Sequence, residues 1–277
     1  MPVILNTTPV ALSVAGSDCS CGAGAQADLK TFSANGVYGL TALTCVVAEV
    51  PGRVTRIDAI EPGMLAEQLR LLLNAFPVTA MKTGMVPSRE HVEAICAVLD
   101  RLPADRVPAI VVDPVMVATS GDRLIDDDAI DALQTELFPR ALLLTPNMGE
   151  ASVLLGQKVR TVAELEPAAR ALADRFQAAV LVKGGHLTEG TARDVLVTRT
   201  GEACHFDAGF VQDRETHGTG CTLSAAIASN LAKGVPLEQS VRNAKRYVHR
   251  AIEHIMRWDA EGAGKMDALN HFAQPGS

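Results

Sequence analysis

Short apolar runs alternate along the chain with longer stretches in which apolar residues return every three or four positions. The runs VALSVAG (10–16), LTALTCVVA (40–48), VTAMKTG (78–84), AIVVDPV (109–115), ALLLTPN (141–147) and AAVLVKGG (178–185) have the length of strands. Between them, helical patterns fall at about 25–35, 61–75, 88–101, 126–137, 148–155 and 161–176. Regular alternation of this kind predicts a parallel sheet covered by helices on both faces. After Gly185 the period changes, and DVLVTRTGEACHFDA (194–208) predicts an antiparallel hairpin about Thr200-Gly201. Helices at 218–233 and 236–257 follow, and residues 259–277 read as loosely ordered. With no internal repeat, linker or break in composition, residues 1–277 read as one domain with its core at about 10–257.

Composition narrows the partners. Of 277 residues 48% are hydrophobic and only 4% aromatic, enough for a large aliphatic core. The 25 Lys and Arg stand against 32 Asp and Glu, a net charge of −7 that argues against nucleic acid or anionic membrane as a partner. The densest basic stretch, Arg242 to Arg250, falls on a helical pattern and reads as a solvated face. The first residues lack the basic start of a secretory signal, and no apolar run approaches a membrane span, so a cytoplasmic location is expected. Six scattered cysteines suggest reduced thiols rather than a disulfide framework or a zinc site.

The most informative stretch is His217-Gly-Thr-Gly-Cys221, which leads into an Ala- and Leu-rich helix. Free N–H groups and the helix dipole there can hold phosphate oxygens, and glycine lets a ligand approach the main chain. A thiol in that field is expected to have a lowered pKa. The plainer alternative is a glycine turn followed by a buried cysteine. Ligands of such sheets bind beyond the carboxyl ends of the strands. The first strand runs into Gly16-Ser-Asp18-Cys-Ser-Cys-Gly22-Ala-Gly24, where Asp18 could accept from a substrate hydroxyl or amine; its spacing fits neither dinucleotide nor P-loop fingerprints. Asp113 and Glu150 follow two further strands and could hold magnesium through its waters, with substrate phosphates as further ligands. Equally, Asn147 and Glu150 have the spacing of a helix capping pair. Lys183 ends the next strand, where a cation and flexible backbone could meet phosphate.

Together these motifs carry a resemblance. The first loop with Gln26, Asp28 and Lys30, Lys82-Thr-Gly84-Met85, Val112-Asp113-Pro-Val-Met116, Thr145-Pro-Asn147 with Glu150, Val182-Lys183-Gly-Gly185-His186 and His217 to Cys221 closely resemble hydroxymethylpyrimidine/phosphomethylpyrimidine kinases of thiamin biosynthesis, within the ribokinase-like superfamily. The match runs in order from about residue 10 to 257. It implies a three-layer α/β/α fold with a mostly parallel sheet and antiparallel strands near one edge, ATP and Mg2+ as cofactors, a homodimer, and phosphorylation of a hydroxymethyl group on a heteroaromatic ring and then of its monophosphate. By the same resemblance Cys221 is the general base, while the N–H groups of Gly218, Thr219, Gly220 and Cys221 stabilise the transferring phosphoryl group. Asp113, Asn147 and Glu150 organise metal and triphosphate, Lys183, Gly185 and Thr216 border the nucleotide, and Gly16, Asp18, Glu49 and Met85 lie on the substrate side.

Two departures from the family pattern stand out. Cys19 and Cys21 replace a proline and a glycine in the first loop. Glu49-Val50-Pro51 stands where the family usually has Gln-Asn-Thr, the glutamine contacting the aminopyrimidine. A pyridoxal or pyridoxine kinase is therefore the enzymatic alternative. A ligand-binding regulator that kept the fold is the other, although it would have no need of Asp113, Glu150, Lys183 and Cys221 together.

Overall fold

A computed structural model describes residues 7–116, 124–185, 191–209, 217–260 and 264–273. Strand β1 (Val10–Asp18) is buried on both faces, sending Val10, Leu12 and Val14 to one side and Ala11 to the other. Helix α1 (Gly24–Ala34) returns the chain to β2 (Tyr38–Val50), which lies parallel to β1. A turn at Pro51-Gly52 then folds β3 (Arg53–Ala59) back antiparallel on β2. The pattern of apolar positions gave no sign of β3, because six of its seven residues are exposed and alternation is lost. The predicted strand at 40–48 consequently runs on to Val50, and Glu49 lies within a hairpin rather than beyond a strand end.

Helix α2 (Pro62–Ala75) has Glu61 as N-cap, accepting the Met64 N–H at 2.9 Å, and Pro62 in the first turn. It buries Leu65, Leu69 and Leu73, one turn apart. There follow β4 (Val78–Thr83), α3 (Arg89–Leu99), β5 (Ala109–Val112) and α4 (Asp127–Ala132). The helix expected at 126–137 continues past α4 only as a wider π turn at Leu133–Leu137, then tightens over Phe138–Arg140. Next come β6 (Leu143–Leu144), α5 (Met148–Leu155), α6 (Val162–Phe176) and β7 (Ala179–Lys183). The expected hairpin is β8 (Thr191–Val197) with β9 (Ala203–Gly209).

These nine strands form one sheet in the order β3-β2-β1-β4-β5-β6-β7-β8-β9. The six central strands are parallel, and antiparallel strands close both edges, where the sequence signalled only one. Helices α2 to α6 pack on one face; α1, α7 (Thr219–Ala232) and α8 (Leu237–Glu253) pack on the other, giving three layers. Most of α7 is buried, as its Ala-rich sequence permits, so its N-terminus is held rigidly at the sheet. Arg242 and Arg246 of α8 are solvated as expected, whereas Lys245 turns inward to Asp194.

The tail corrects another expectation. Helix α8 ends at Glu253, and β10 (Met256–Ala260) pairs antiparallel with β11 (Gly264–Ala268). Leu269 and His271 are then buried, the imidazole 3.1 Å from the Thr222 hydroxyl of α7. No helix among the described residues is long and apolar enough to cross a membrane.

Candidate active site

A cavity opens beyond the carboxyl ends of β1, β2, β4, β5 and β7, where the N-terminus of α7 meets the sheet. Gly218 caps that helix with φ of +82°, and a Cβ there would stand 1.8 Å from the Gly22 carbonyl oxygen. The N-terminal turn of α7 and the β1–α1 loop are thus in backbone contact, which explains glycine at this position. Gly218, Gly220 and Cys221 line the cavity, and Thr219 occupies the same first turn.

On one side of this turn stand the groups suited to phosphate and metal. Lys183 donates to Asp113 Oδ1 at 2.8 Å, Thr145 donates to the same oxygen, and the Ser224 hydroxyl of α7 donates to Asp113 Oδ2 at 3.2 Å. Burial would raise the Asp113 pKa, but Lys183 and then Lys82 hold it below the ordinary range. Glu150 accepts the N–H groups of Asn147 and Met116, and Asn147 caps the Glu150 N–H in return. The capping box and the cavity wall are therefore the same residues. Burial pushes the Glu150 carboxyl up, Lys183 opposes this, and Asp113 adds to it.

No cluster of three or more metal-ligating side chains occurs among the described residues. Magnesium needs less, since it commonly takes one or two carboxylates and keeps water and substrate phosphates as its other ligands. Asp113 and Glu150 fit that demand, as two buried carboxylates that raise each other's cost of ionisation and would both gain from a divalent cation.

The other side is largely apolar. Gly16, Met85, Val47, Val54 and Ile57 line it together with Glu49, the last four from the β2–β3 hairpin. The strand register shifts between Ala48 and Glu49, a bulge of the kind that re-aims a side chain. Burial foremost, then Asp18, raises the Glu49 carboxyl, against the pull of His217. Asp18 itself differs from its expected part as a free acceptor. Its Oδ1 takes the Ser20 N–H and hydroxyl at 2.7 and 2.8 Å, and its Oδ2 takes the N–H groups of Gly22 and Ala23 at 3.0 and 2.8 Å. His217 Nε2 lies 3.4 Å from Oδ2. Burial opposes ionisation, but the bonds from His217, Ser20 and Ala23 outweigh it and draw Asp18 down to about 2. Asp18 shapes the loop on its committed oxygens.

Cys221 reverses a further expectation. Burial raises its thiol above the ordinary value, and Asp28 and Asp113 add to this against Lys82 and the Gly24 N–H, so the helix end does not yield a low pKa. Gly185, with φ of +56°, follows Lys183 at the end of β7 but outside the cavity lining. Thr216, expected beside the nucleotide, and His186 lie outside the described residues. Three polar residues at the site had no role assigned from the sequence. His217 lines the cavity and contacts Asp18 of the β1–α1 loop, while Lys82 and Asp28 form an ion pair with neither side chain exposed. A lysine inside the apolar run VTAMKT and an aspartate on the inner face of α1 were the available signals.

The chain has close relatives in sequence and fold. The profile of the family described as phosphomethylpyrimidine kinase matches residues 18–267. A hydroxymethylpyrimidine/phosphomethylpyrimidine kinase of Rhizobium meliloti is 44% identical over 96% of this chain and 97% of its own. The crystal structure of phosphomethylpyrimidine kinase from Clostridium difficile has a TM-score of 0.76 at 35% identity, covering 88% of this chain and all (100%) of that one. An ADP complex of Bacillus subtilis pyridoxal kinase has a TM-score of 0.85 at 34% identity, covering 96% and 98%. The match in sequence over nearly the whole chain, on a sheet whose strand ends gather Asp113, Glu150, Lys183 and Cys221 around one helix N-terminus, means that this chain belongs to the phosphomethylpyrimidine kinase family.

Proposed function

We propose that the protein is an ATP-dependent kinase that phosphorylates the hydroxymethyl group of 4-amino-5-hydroxymethyl-2-methylpyrimidine and then its monophosphate, for thiamin biosynthesis. The observation that carries this reading is the position of Cys221, at the helix N-terminus between the carboxylate–lysine half of the cavity and the apolar ring wall. Phosphoryl transfer asks chiefly for positioning and charge neutralisation, which this division supplies.

In this reading the N–H groups from Gly218 to Cys221 receive the charge that develops on the transferring phosphoryl group. Lys183 and Asn147 meet the triphosphate, with Gly185 and Thr216 beside the nucleotide. Asp113 and Glu150 hold Mg2+, which when bound neutralises charge on the phosphates. Cys221 acts as the thiolate: its sulfur takes the hydroxymethyl proton as that oxygen bonds to the γ-phosphorus, and the bond from phosphorus to the bridging oxygen breaks with its electron pair leaving on ADP. Gly16, Met85 and Glu49 hold the ring. The chain from 1 to 277 acts as one ribokinase-like kinase domain, in the cytoplasm and as a homodimer. ADP and ATP-analogue complexes of related pyridoxal kinases support the choice of nucleotide.

Mass spectrometry of the purified protein incubated with ATP, Mg2+ and the hydroxymethylpyrimidine tests this reading. Monophosphate followed by diphosphate is expected, and Cys221→Ala should lose kcat by about a hundred- to ten-thousand-fold while still binding ATP. Absence of any phosphorylated pyrimidine would overturn the reading. A carboxylate at Glu49, which can accept from a phenol or pyridinium N–H, favours a vitamin B6 vitamer as the second candidate.

A further inference from the structure

The tail of the chain sets a buried histidine against the helix that bears Cys221. Tyr247 of α8 donates its hydroxyl to the His271 carbonyl at 2.7 Å, and the Asn270 N–H donates to the Ala251 carbonyl at 3.2 Å, so this segment is tied to α8 at two points. His271 Nε2 stands 3.1 Å from the Thr222 hydroxyl of α7, and both residues are buried. Burial first, and then Lys30, draw the imidazole down to about 4, while its other nitrogen donates to the Leu269 carbonyl. Nε2 of this neutral ring is therefore the acceptor, and Thr222 donates. Apolar residues would fill the same space at no polar cost, but the place of the pair is specific. Thr222 follows Cys221, and its N–H closes the first turn of α7 on the Gly218 carbonyl at 2.9 Å. A threonine hydroxyl inside a helix otherwise tends to bond the carbonyl four residues back and bend the helix, and here that carbonyl is the same one of Gly218.

We infer that His271 is a positioning residue for phosphoryl transfer, which by taking the Thr222 hydroxyl holds the first turn of α7 and its N–H groups from Gly218 to Cys221 in place at the cavity. The inference rests on those N–H groups receiving the transferring phosphoryl group in the proposed reaction. The turn is then braced from three sides: by Gly22 against Gly218, by Asp113 on the Ser224 hydroxyl, and by the tail on Thr222. His271 lies outside the cavity lining and acts through Thr222 alone.

A double-mutant cycle across the bond, in the full chain and with the ring it phosphorylates fastest, tests this. His271→Leu keeps bulk and removes the acceptor, whereas Thr222→Val keeps shape and removes the donor. Each should lower kcat at least about fivefold, measured well below the Tm of the variant, with KM for the ring changed by less than about twofold. The double variant should lose no more than the worse single one, since each single change leaves a buried partner unbonded. Thr222→Ser keeps the hydroxyl and should recover most of the rate lost in Thr222→Val. Near-normal kcat in His271→Leu, or losses that multiply in the double variant, would overturn the proposal. If His271→Leu fails to fold, Thr222→Val cuts the same bond from its other end, and near-normal kcat there overturns the proposal equally. Amide hydrogen exchange supplies a readout without substrate, because the N–H groups of Thr222 to Ala225 bond back to the carbonyls of 218–221. Their exchange should quicken several-fold in either single variant, and unchanged exchange in both would also overturn the proposal. Quickened exchange in a protein that phosphorylates no ring would uphold the brace and overturn only the kinase reading.

Discussion

Gly218→Ala separates the geometry of the phosphate cradle from the stability of the fold. Two costs can be worked from the structure. A residue with a Cβ at φ of +82° loses roughly 1–2 kcal/mol to left-handed strain. The new methyl would also stand 1.8 Å from the Gly22 oxygen, 2.8 Å from its carbon and 3.3 Å from Ala23 Cα, all of them backbone atoms that no rotamer change can move. Ordinary contact begins at 3.4 Å, so the α7 N-terminus and the β1–α1 loop must part by about 1.6 Å. Misplacement of reacting groups by about 1 Å is enough to cost on the order of a hundredfold in rate. Gly234→Ala is the control, because Gly234 has φ of +76° and open space around it. Steady-state kinetics with thermal unfolding should show Tm lowered in both variants, by about 2–4 °C per kcal/mol, and kcat lowered at least about a hundredfold in Gly218→Ala only. Near-normal kcat in Gly218→Ala, or equal loss in both variants, would refute the cradle.

Three other outcomes are expected. Asp113→Asn and Glu150→Gln should each shift the magnesium titration of activity to higher concentration and slow transfer, and wild-type titrations in both would remove them from the metal site. Glu49→Gln should change KM for the ring several-fold and leave KM for ATP alone. Since burial raises the Glu49 carboxyl, the ring KM of the wild type should vary across mildly acidic pH and flatten in the variant; identical profiles would take Glu49 out of the site. Asp18 is drawn from 3.8 to about 2, so its stabilisation is complete above the unfolded value and fades as pH falls through the folded one. At most about 2.4 kcal/mol follows from that shift, and with solvent screening at the cavity about 1–2 kcal/mol. The stability gap between wild type and Asp18→Asn, from urea unfolding, should therefore shrink between pH 6 and pH 2, and a constant gap would contradict the bonding described for the loop.

What the sequence revealed follows from what repeats in it. Strands buried on both faces, such as Val10–Asp18 and Ala179–Lys183, advertise themselves as apolar runs, and the polar residues just after them mark the site. Helix α5 was legible from its apolar pattern and from the capping spacing of Asn147 and Glu150. The edge strand β3 was not, because an exposed strand needs no apolar alternation, and the hairpin that presents Glu49 was lost with it. Hairpin β10–β11 escaped for a similar reason, with Met256, Arg257, Trp258 and Asp259 exposed. The charge state of Cys221 was misjudged because a helix N-terminus can be read from sequence, whereas burial beside Asp28 and Asp113, residues 193 and 108 positions away, cannot. Lys82 and Asp28 were in view as letters of a motif, but only the fold brings them together 54 residues apart.

The most direct test of the account is the ratio of kcat/KM for the hydroxymethylpyrimidine to that for pyridoxal, measured on the same preparation with ATP and Mg2+. The account predicts a ratio well above one, with diphosphate accumulating from the pyrimidine. A ratio well below one, with no diphosphate formed, would contradict it and assign the Glu49 wall to a B6 vitamer.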